Sequence, residues 1–309
     1  MRIFLCDYCG APLEAPWSDL VIVCAYCGAQ NFDGKVLDPV PPYAPVDQRA
    51  RVNLGGRSYV AEGLLGTGDS TRVFRARWVM RLGELVYLKV LLALSDAELV
   101  RNEWTVLTAL QKSRAEGAEQ FIPRLPSPVA HGLVTTDKPR LASVFGWLPG
   151  FTHSLSAIER EYPGGVDGKI GVWMLTRLLE LLGFVHRSGF VHGAVTPDHV
   201  LVHPRDHGAT LVGWTLAQAH AGGPPLLGKP RGWLQLYGSA SRAEPALDIA
   251  MACRSVARVA RFEGPLKQVL KQGESGHADA WSLVEQLRAA SRQVYGPPSY
   301  NPLTLRGWS

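Results

Sequence analysis

Residues 191–202 read VHGAVTPDHVLV, a short polar loop in an apolar frame that ends in the strand-like run HVLV. The preceding run, WMLTRLLELLGFVHRSG, is predicted to be an amphipathic helix that ends at Gly189. A second strand, TLV at residues 210–212, follows the loop. The sequence therefore predicts a loop between a helix and two short strands. One face of the helix carries Leu175, Leu178, Leu179, Leu182 and Val185.

The chain upstream of this loop has the pattern of a sheet that carries one helix. Residues 59–78 alternate around Gly66 and Gly68, as in a strand–turn–strand hairpin. The run ELVYLKVLL is a predicted strand that contains Lys89. The next run, SDAELVRNEWTVLTAL, has helical spacing and contains Glu103, fourteen residues after Lys89.

In order and spacing these segments resemble the small lobe of a protein kinase. The glycine loop of that family reads G-x-G-x-x-G-x-V. Gly66, Gly68 and Val73 match it, and Thr71 stands in place of the third glycine. The run LASVFGWLPG resembles the last small-lobe strand and the hinge that grips adenine.

The resemblance also implies a role for the strand lysine and the helix glutamate. In kinases the lysine holds the phosphates of the nucleotide and the glutamate holds the lysine. Lys89 and Glu103 match those two positions. The nucleotide-binding residues that the resemblance implies are Gly66, Gly68, Val73, Lys89 and Glu103.

The loop quoted above resembles the catalytic loop, which reads H-R-D-L-x-x-x-N in the family. Ala194 stands where the catalytic aspartate is expected, and His199 stands where the metal-holding asparagine is expected. The metal motif D-F-G is matched by Gly213, Trp214 and Thr215, so its aspartate is also absent. Glycine offers no side-chain ligand, and magnesium prefers oxygen to a neutral imidazole. The sequence therefore indicates a pseudokinase that lacks three parts of one reaction.

Two other interpretations of this loop remain open. Asp198 could replace the lost aspartate, although its place at the outward turn of the loop favours a cap or turn contact. His192, His199 and His203 could hold a transition metal, although loop histidines more often bond to the backbone.

The C-terminal part resembles the large lobe of a kinase. Asp248 leads the helical run LDIAMACRSVARVA and matches the aspartate that braces the catalytic loop from behind. WSLVEQLRAA is another predicted helix, and the proline-rich run YGPPSYNPLTL is a predicted extended strap. The segment before Asp248 is short and ends in AEP rather than A-P-E, which implies a poor groove for a protein substrate.

The N-terminus carries a repeated cysteine pattern, CDYCG and CAYCG. Two C-x-x-C pairs complete a tetrahedral thiolate site with no open position, so the pattern predicts structural zinc. The predicted zinc ligands are Cys6, Cys9, Cys24 and Cys27. Two disulfides or a redox pair are the alternatives, and the lack of an export signal disfavours disulfides. Cys253 stands alone in an apolar run and is a predicted core residue.

The predicted fold is α+β: a four-cysteine zinc ribbon followed by a bilobal kinase-like fold. We expect the ribbon at residues 1–35 and a proline-rich linker at 36–51. The kinase-like N-lobe follows at 52–150, and the C-lobe with its extended tail occupies 151–309.

Composition limits the classes of function. No apolar run reaches the roughly 18 residues of a membrane helix, and no signal peptide is recognisable, so we expect a cytoplasmic protein without membrane contact. The net charge of +5 is mild and its residues are scattered, which favours a protein partner over nucleic acid.

Several functions remain compatible with the sequence. The first is a scaffold, adaptor or allosteric partner, with ATP binding that needs no magnesium as a further option. The alternatives are an atypical Ser/Thr protein kinase, a nucleotide transferase, or a nucleic-acid adaptor that acts through the ribbon.

Overall fold

The computed structural model describes residues 2–5, 12–15, 21–23, 30–32, 51–134 and 140–305. The four cysteines of the predicted zinc ribbon and residues 36–50 of the predicted linker (36–51) lie outside the described residues, whereas Arg51 begins the first strand of the N-terminal lobe. The described N-terminal segments form two antiparallel hairpins. Their strands are β1 (Arg2–Leu5), β2 (Pro12–Ala15), β3 (Val21–Val23) and β4 (Gln30–Phe32).

The N-terminal lobe is built on a six-stranded antiparallel sheet in the order β5-β6-β7-β8-β10-β9. The hairpin and the lysine strand predicted from the sequence are its centre. The strands are β5 (Arg51–Leu54), β6 (Arg57–Thr67), β7 (Thr71–Trp78), β8 (Arg81–Leu91), β9 (Pro128–Val134) and β10 (Arg140–Gly146).

Successive side chains of β8 point to opposite faces of this sheet. Because neighbouring strand residues point to opposite faces, Val86 and Leu88 lie in a core inside the curled sheet, where β5 approaches β9. Tyr87 and Lys89 point the other way, toward the second lobe. That face is covered by the predicted helix, α1 (Ala97–Leu110), and a short helix, α2 (Ala118–Phe121), follows it.

The second lobe is mainly helical. Its elements are β11 (His153–Ser154), α3 (Leu155–Glu161), α4 (Gly168–Arg187), β12 (Phe190–Val191), β13 (Val200–His203), β14 (Gly208–Leu211), β15 (Gln218–Ala219), α5 (Pro245–Ala257), α6 (Pro265–Glu274) and α7 (Ala280–Tyr295). The strands β13 and β14 form a hairpin, and β11 adds to its edge. None of the described helices combines the length and apolar character that crossing a membrane requires.

Helix α4 is buried more completely than its sequence pattern indicates. It begins at Gly168, before the predicted stretch, and Asp167 caps it by accepting from the backbone of Lys169. Leu181 and Phe184 lie off the predicted apolar face and are nevertheless buried. The reason is that α4 packs against α5, α7 and β14 at once, so it forms the centre of the lobe.

One hydrophobic cluster joins the two lobes. It contains Tyr87, Leu107 and Phe145 from the first lobe and Leu178, Leu211 and Trp214 from the second. The lobes are therefore connected by a continuous core and not by the hinge alone.

The predicted C-terminal strap forms no helix or strand over residues 296–305. Leu303 and Leu305 are buried in the main core. The Tyr162 hydroxyl donates to the carbonyl of Thr304, and the Tyr300 hydroxyl donates to the carbonyl of Arg205 at 3.2 Å. The strap is therefore anchored to the second lobe.

Candidate nucleotide cleft

The predicted lysine–glutamate pair is formed between the sheet and α1. Lys89 Nζ lies 2.7 Å from Glu103 Oε2, and the two side chains are only 7% and 3% exposed. The other carboxylate oxygen of Glu103 accepts from the backbone N–H of Trp214 at 2.8 Å. This links β8, α1 and the segment that follows β14.

A second contact fixes α1 against the same segment. The Asn102 side-chain amide donates to the carbonyl of Ala217 at 2.7 Å and to that of Thr215 at 3.2 Å. Trp214 is fully buried, and its indole N–H donates to the carbonyl of Leu211 at 2.9 Å. The residues that match D-F-G therefore take part in structure that holds the lobes together.

The loop that resembles the catalytic loop is braced from behind by Asp248. Its carboxylate accepts from the backbone N–H groups of His192 at 2.7 Å and Gly193 at 2.9 Å. The ring of His186 lies 3.1 Å from the same carboxylate. The Tyr237 hydroxyl donates to the carbonyl of Gly193 at 2.6 Å. The geometry of the loop is held by these bonds although its polar motif residues are replaced.

His199 lies beside Gly213, and these are the two positions that correspond to the metal-binding residues of kinases. Its Nδ1–H donates to the carbonyl of Ala194 at 2.9 Å. Gly213 has a φ of +77°, and a Cβ placed on it would lie 2.5 Å from both Nε2 and Cδ2 of His199. The imidazole therefore fills the volume into which any side chain at position 213 would project.

Two histidines of the loop, His192 and His199, are held neutral by burial. Burial lowers the pKa of His192 to about 3, and its ring bonds to the carbonyl of Val212 at 3.1 Å. Burial also lowers the pKa of His199. Neither ring therefore supplies positive charge to a phosphate at neutral pH.

The other candidate metal ligands and acid–base residues do not lie together in one site. No group of three or more His, Cys, Asp or Glu side chains within the described ranges is arranged to hold a metal ion. Asp198 is exposed and accepts from the indole N–H of Trp233 at 2.8 Å. His203 lies at the far end of β13 and pairs with Asp206 at 3.3 Å.

The glycine-loop residues form the tip of the β6–β7 hairpin. Gly66 pairs with Val73, and the N–H of Gly68 donates to the carbonyl of Thr71 at 2.8 Å. At this tip Asp69 accepts from the backbone N–H of Arg231 at 3.3 Å. The loop is thus connected to the segment of the second lobe that precedes α5.

An aromatic pair that was not predicted from the sequence lies at the hinge side of the cleft. Tyr87 stacks on Trp147 with ring centroids 4.5 Å apart and an interplanar angle of 28°. The lysine strand of the family reads V-A-I-K, whereas this chain reads V-Y-L-K. The tyrosine in place of alanine was the signal that could have predicted the pair.

The fold and the cleft define a protein-kinase-like domain. No protein-family model matches the sequence, and no curated protein matches it. The structure is similar to the kinase domain of BubR1 at 12% identity, covering 82% of this chain and 85% of that one, with a TM-score of 0.58.

Two further solved structures are similar over comparable lengths. Vaccinia related kinase 3 is 15% identical, covering 84% of this chain and 87% of its own, with a TM-score of 0.56. The kinase domain of a rhoptry antigen from Toxoplasma gondii is 14% identical, covering 79% and 87%, with a TM-score of 0.55. The chain therefore has the protein-kinase fold.

Proposed function

We propose that this protein is a pseudokinase that acts as a scaffold, adaptor or allosteric partner in a cytoplasmic protein complex. The observation that carries the proposal is the position of His199. The ring fills the space beside Gly213, where kinases place the aspartate that holds magnesium.

Phosphoryl transfer is disfavoured in this cleft because the charge of the phosphates would not be neutralised. The reaction depends on metal ions that neutralise charge on the transferred phosphoryl group. Here Gly213 contributes no oxygen, His199 contributes a neutral ring, and Ala194 contributes a methyl group in place of a carboxylate that would orient the attacking hydroxyl. Since these three losses affect separate parts of one reaction, no single reversion is expected to restore turnover.

The scaffold role is supported by how firmly the lobes are joined. Across the cleft, the backbone N–H of Trp214 donates to Glu103, and the side-chain amide of Asn102 donates to the carbonyls of Thr215 and Ala217. Asp69 and Arg231 add a contact at the mouth of the cleft. Lobes that are joined by their own side chains present one continuous surface to a protein partner. We propose that the four N-terminal cysteines hold structural zinc and that the ribbon adds to this surface.

One observation favours an atypical kinase or nucleotide transferase as the second candidate. The buried Lys89–Glu103 pair is the arrangement that active kinases require. In the proposed pseudokinase the same pair stabilises the packing of α1 on the sheet.

Transfer of labelled phosphate from ATP, to the protein itself and to a mixture of generic protein substrates, tests the proposal. Lys89→Met, assayed below its own melting temperature so that it stays folded, is the matched control because it removes the lysine that would bind phosphate. We expect wild type and Lys89→Met to give the same background with magnesium or manganese. Transfer by the wild type that Lys89→Met abolishes would refute the proposal. If the wild type shows no such transfer, cross-linking followed by mass spectrometry would identify the protein partner.

A further inference from the structure

The hinge side of the cleft is lined by a row of large aromatic side chains. Tyr87 faces the cleft from β8, on the same face of the strand as Lys89. Phe145 is its cross-strand neighbour on β10, and Trp147 follows immediately after that strand. Trp104 of α1 packs against Phe145, with ring centroids 6.1 Å apart.

Tyr87 is enclosed rather than lying over an open groove. It is 8% exposed and belongs to the core cluster that joins the lobes. Val73 from the glycine-loop hairpin packs against the same cluster, as does Trp147. Val73, one of the nucleotide-binding residues that the resemblance implies, therefore packs against protein side chains.

The stack leaves no gap between its two rings. Rings whose centroids lie 4.5 Å apart are already in contact. A planar base could enter only if Tyr87 and Trp147 separated, which would expose apolar surface of both rings.

We propose that Tyr87 and Trp147 form an internal plug that occupies the adenine part of the cleft. The inference rests on the proposed function in taking this cleft to be the one that corresponds to a nucleotide site. The plug holds the lobes in the closed arrangement that a nucleotide would otherwise favour. It follows that the wild-type protein does not bind ATP even in a form that needs no magnesium.

Titration with ATP and with adenosine, without added magnesium, tests the plug by calorimetry. Three proteins are compared: wild type, Tyr87→Ala, and Tyr59→Ala as the matched control. Tyr59 is a buried tyrosine of the same sheet that lies in the core on its other side. We expect no saturable binding by wild type or Tyr59→Ala. Tyr87→Ala should bind both ligands saturably, with a Kd at least tenfold lower than the weakest Kd that the titration can detect.

Trp147→Leu keeps an apolar side chain at the hinge and provides a second test if Tyr87→Ala does not fold. Saturable micromolar binding by the wild type would overturn the plug. So would folded Tyr87→Ala or Trp147→Leu proteins that bind no more tightly than Tyr59→Ala. Labelled phosphate transfer by the same proteins, assayed with magnesium or manganese added, separates the two proposals. A wild type that binds without transfer contradicts the plug alone, whereas one that binds and transfers contradicts the pseudokinase proposal as well.

Discussion

The imidazole of His199 stands where a side chain on Gly213 would have to lie, 2.5 Å from the position of its Cβ. These two positions carry the metal ligands in the kinase family. In this chain the replacements fit each other, because the absent side chain at one position leaves room for the larger ring at the other. The space beside Gly213 is therefore filled by the ring of His199.

The first prediction concerns Gly213→Asp. The new side chain would meet the ring of His199 and would also have to adopt a φ of +77°. Overpacking and the left-handed backbone together should lower the free energy of unfolding by about 3 kcal/mol. Urea denaturation measures this. Gly232→Asp is the control, because nothing lies within 4 Å of a Cβ there, and it should cost little. A Gly213→Asp protein as stable as the wild type would show that His199 does not fill the site.

The second prediction concerns the Lys89–Glu103 pair. Lys89→Met leaves a buried carboxylate without its partner, so we expect a loss of about 3–5 kcal/mol. The double variant Lys89→Met/Glu103→Met should lose less than the sum of the single variants. A double-mutant cycle by chemical denaturation measures the coupling. The exposed pair Arg101 and Glu98 should give a coupling of about 0.5 kcal/mol or less, and a similar value for the buried pair would contradict the structural role.

The third prediction concerns Asp248→Asn. The carboxylate accepts two backbone N–H groups of the loop and contacts His186. An amide presents one acceptor and one donor there, so a buried N–H loses its partner at a cost of about 2–3 kcal/mol. Asp198→Asn is the matched control because Asp198 is exposed, and it should cost about 1 kcal/mol at most. Equal costs for the two variants would show that Asp248 does not brace the loop.

The fourth prediction concerns pH and the C-terminal strap. His207 lies between the rings of Trp173 and Tyr300, with centroid separations of 4.5 and 4.4 Å. Burial lowers its pKa to about 4, whereas the unfolded chain has the ordinary value of about 6.5. Its contribution to stability is therefore complete above pH 6.5 and declines as the pH falls toward 4. The slope is at most about 1.4 kcal/mol per pH unit.

Urea denaturation of the wild type and His207→Asn across this pH range measures the effect. Asparagine tolerates the φ of +49° found at this position. In His207→Asn the free energy of unfolding should fall less steeply as the pH is lowered. The difference in slope should be at most the contribution of one proton. Identical slopes in the two proteins would show that His207 is not the titrating group.

The fifth prediction concerns the N-terminal cysteines. Metal analysis of the purified protein should find zinc, because the paired C-x-x-C pattern is typical of a closed thiolate site. Cys6→Ser combined with Cys24→Ser should remove it, and Cys253→Ser should leave it unchanged, since Cys253 is buried in the helical lobe. Zinc that survives the loss of Cys6 and Cys24 would contradict the ribbon.

The order of the elements was predictable from the sequence because it depends on local periodicity. The hairpin at Gly66 and Gly68, the lysine strand and α1 all follow from alternation or helical spacing and are confirmed. The burial of α4 beyond its apolar face was not predictable, because Phe184 lies off that face and is covered only when α5 and α7 pack around it.

The substitutions at the cleft were visible in the sequence, but their contacts were not. The pattern shows that Ala194, His199 and Gly213 depart from the family. It does not show that the hairpin of β13 and β14 brings His199 onto Gly213. Similarly, alternation places Tyr87 on the cleft side of β8, whereas its stack on Trp147 joins residues sixty positions apart.

Thermal unfolding in the presence of ATP tests most directly whether the cleft can hold magnesium. One sample contains magnesium chloride, and the other contains sodium chloride at the same ionic strength. We predict the same melting temperature in both, for the wild type and for Tyr87→Ala, because position 213 offers no side-chain oxygen and burial holds the ring of His199 neutral. A melting temperature that rises only with magnesium and ATP together, and that no longer rises in Lys89→Met, would contradict the account.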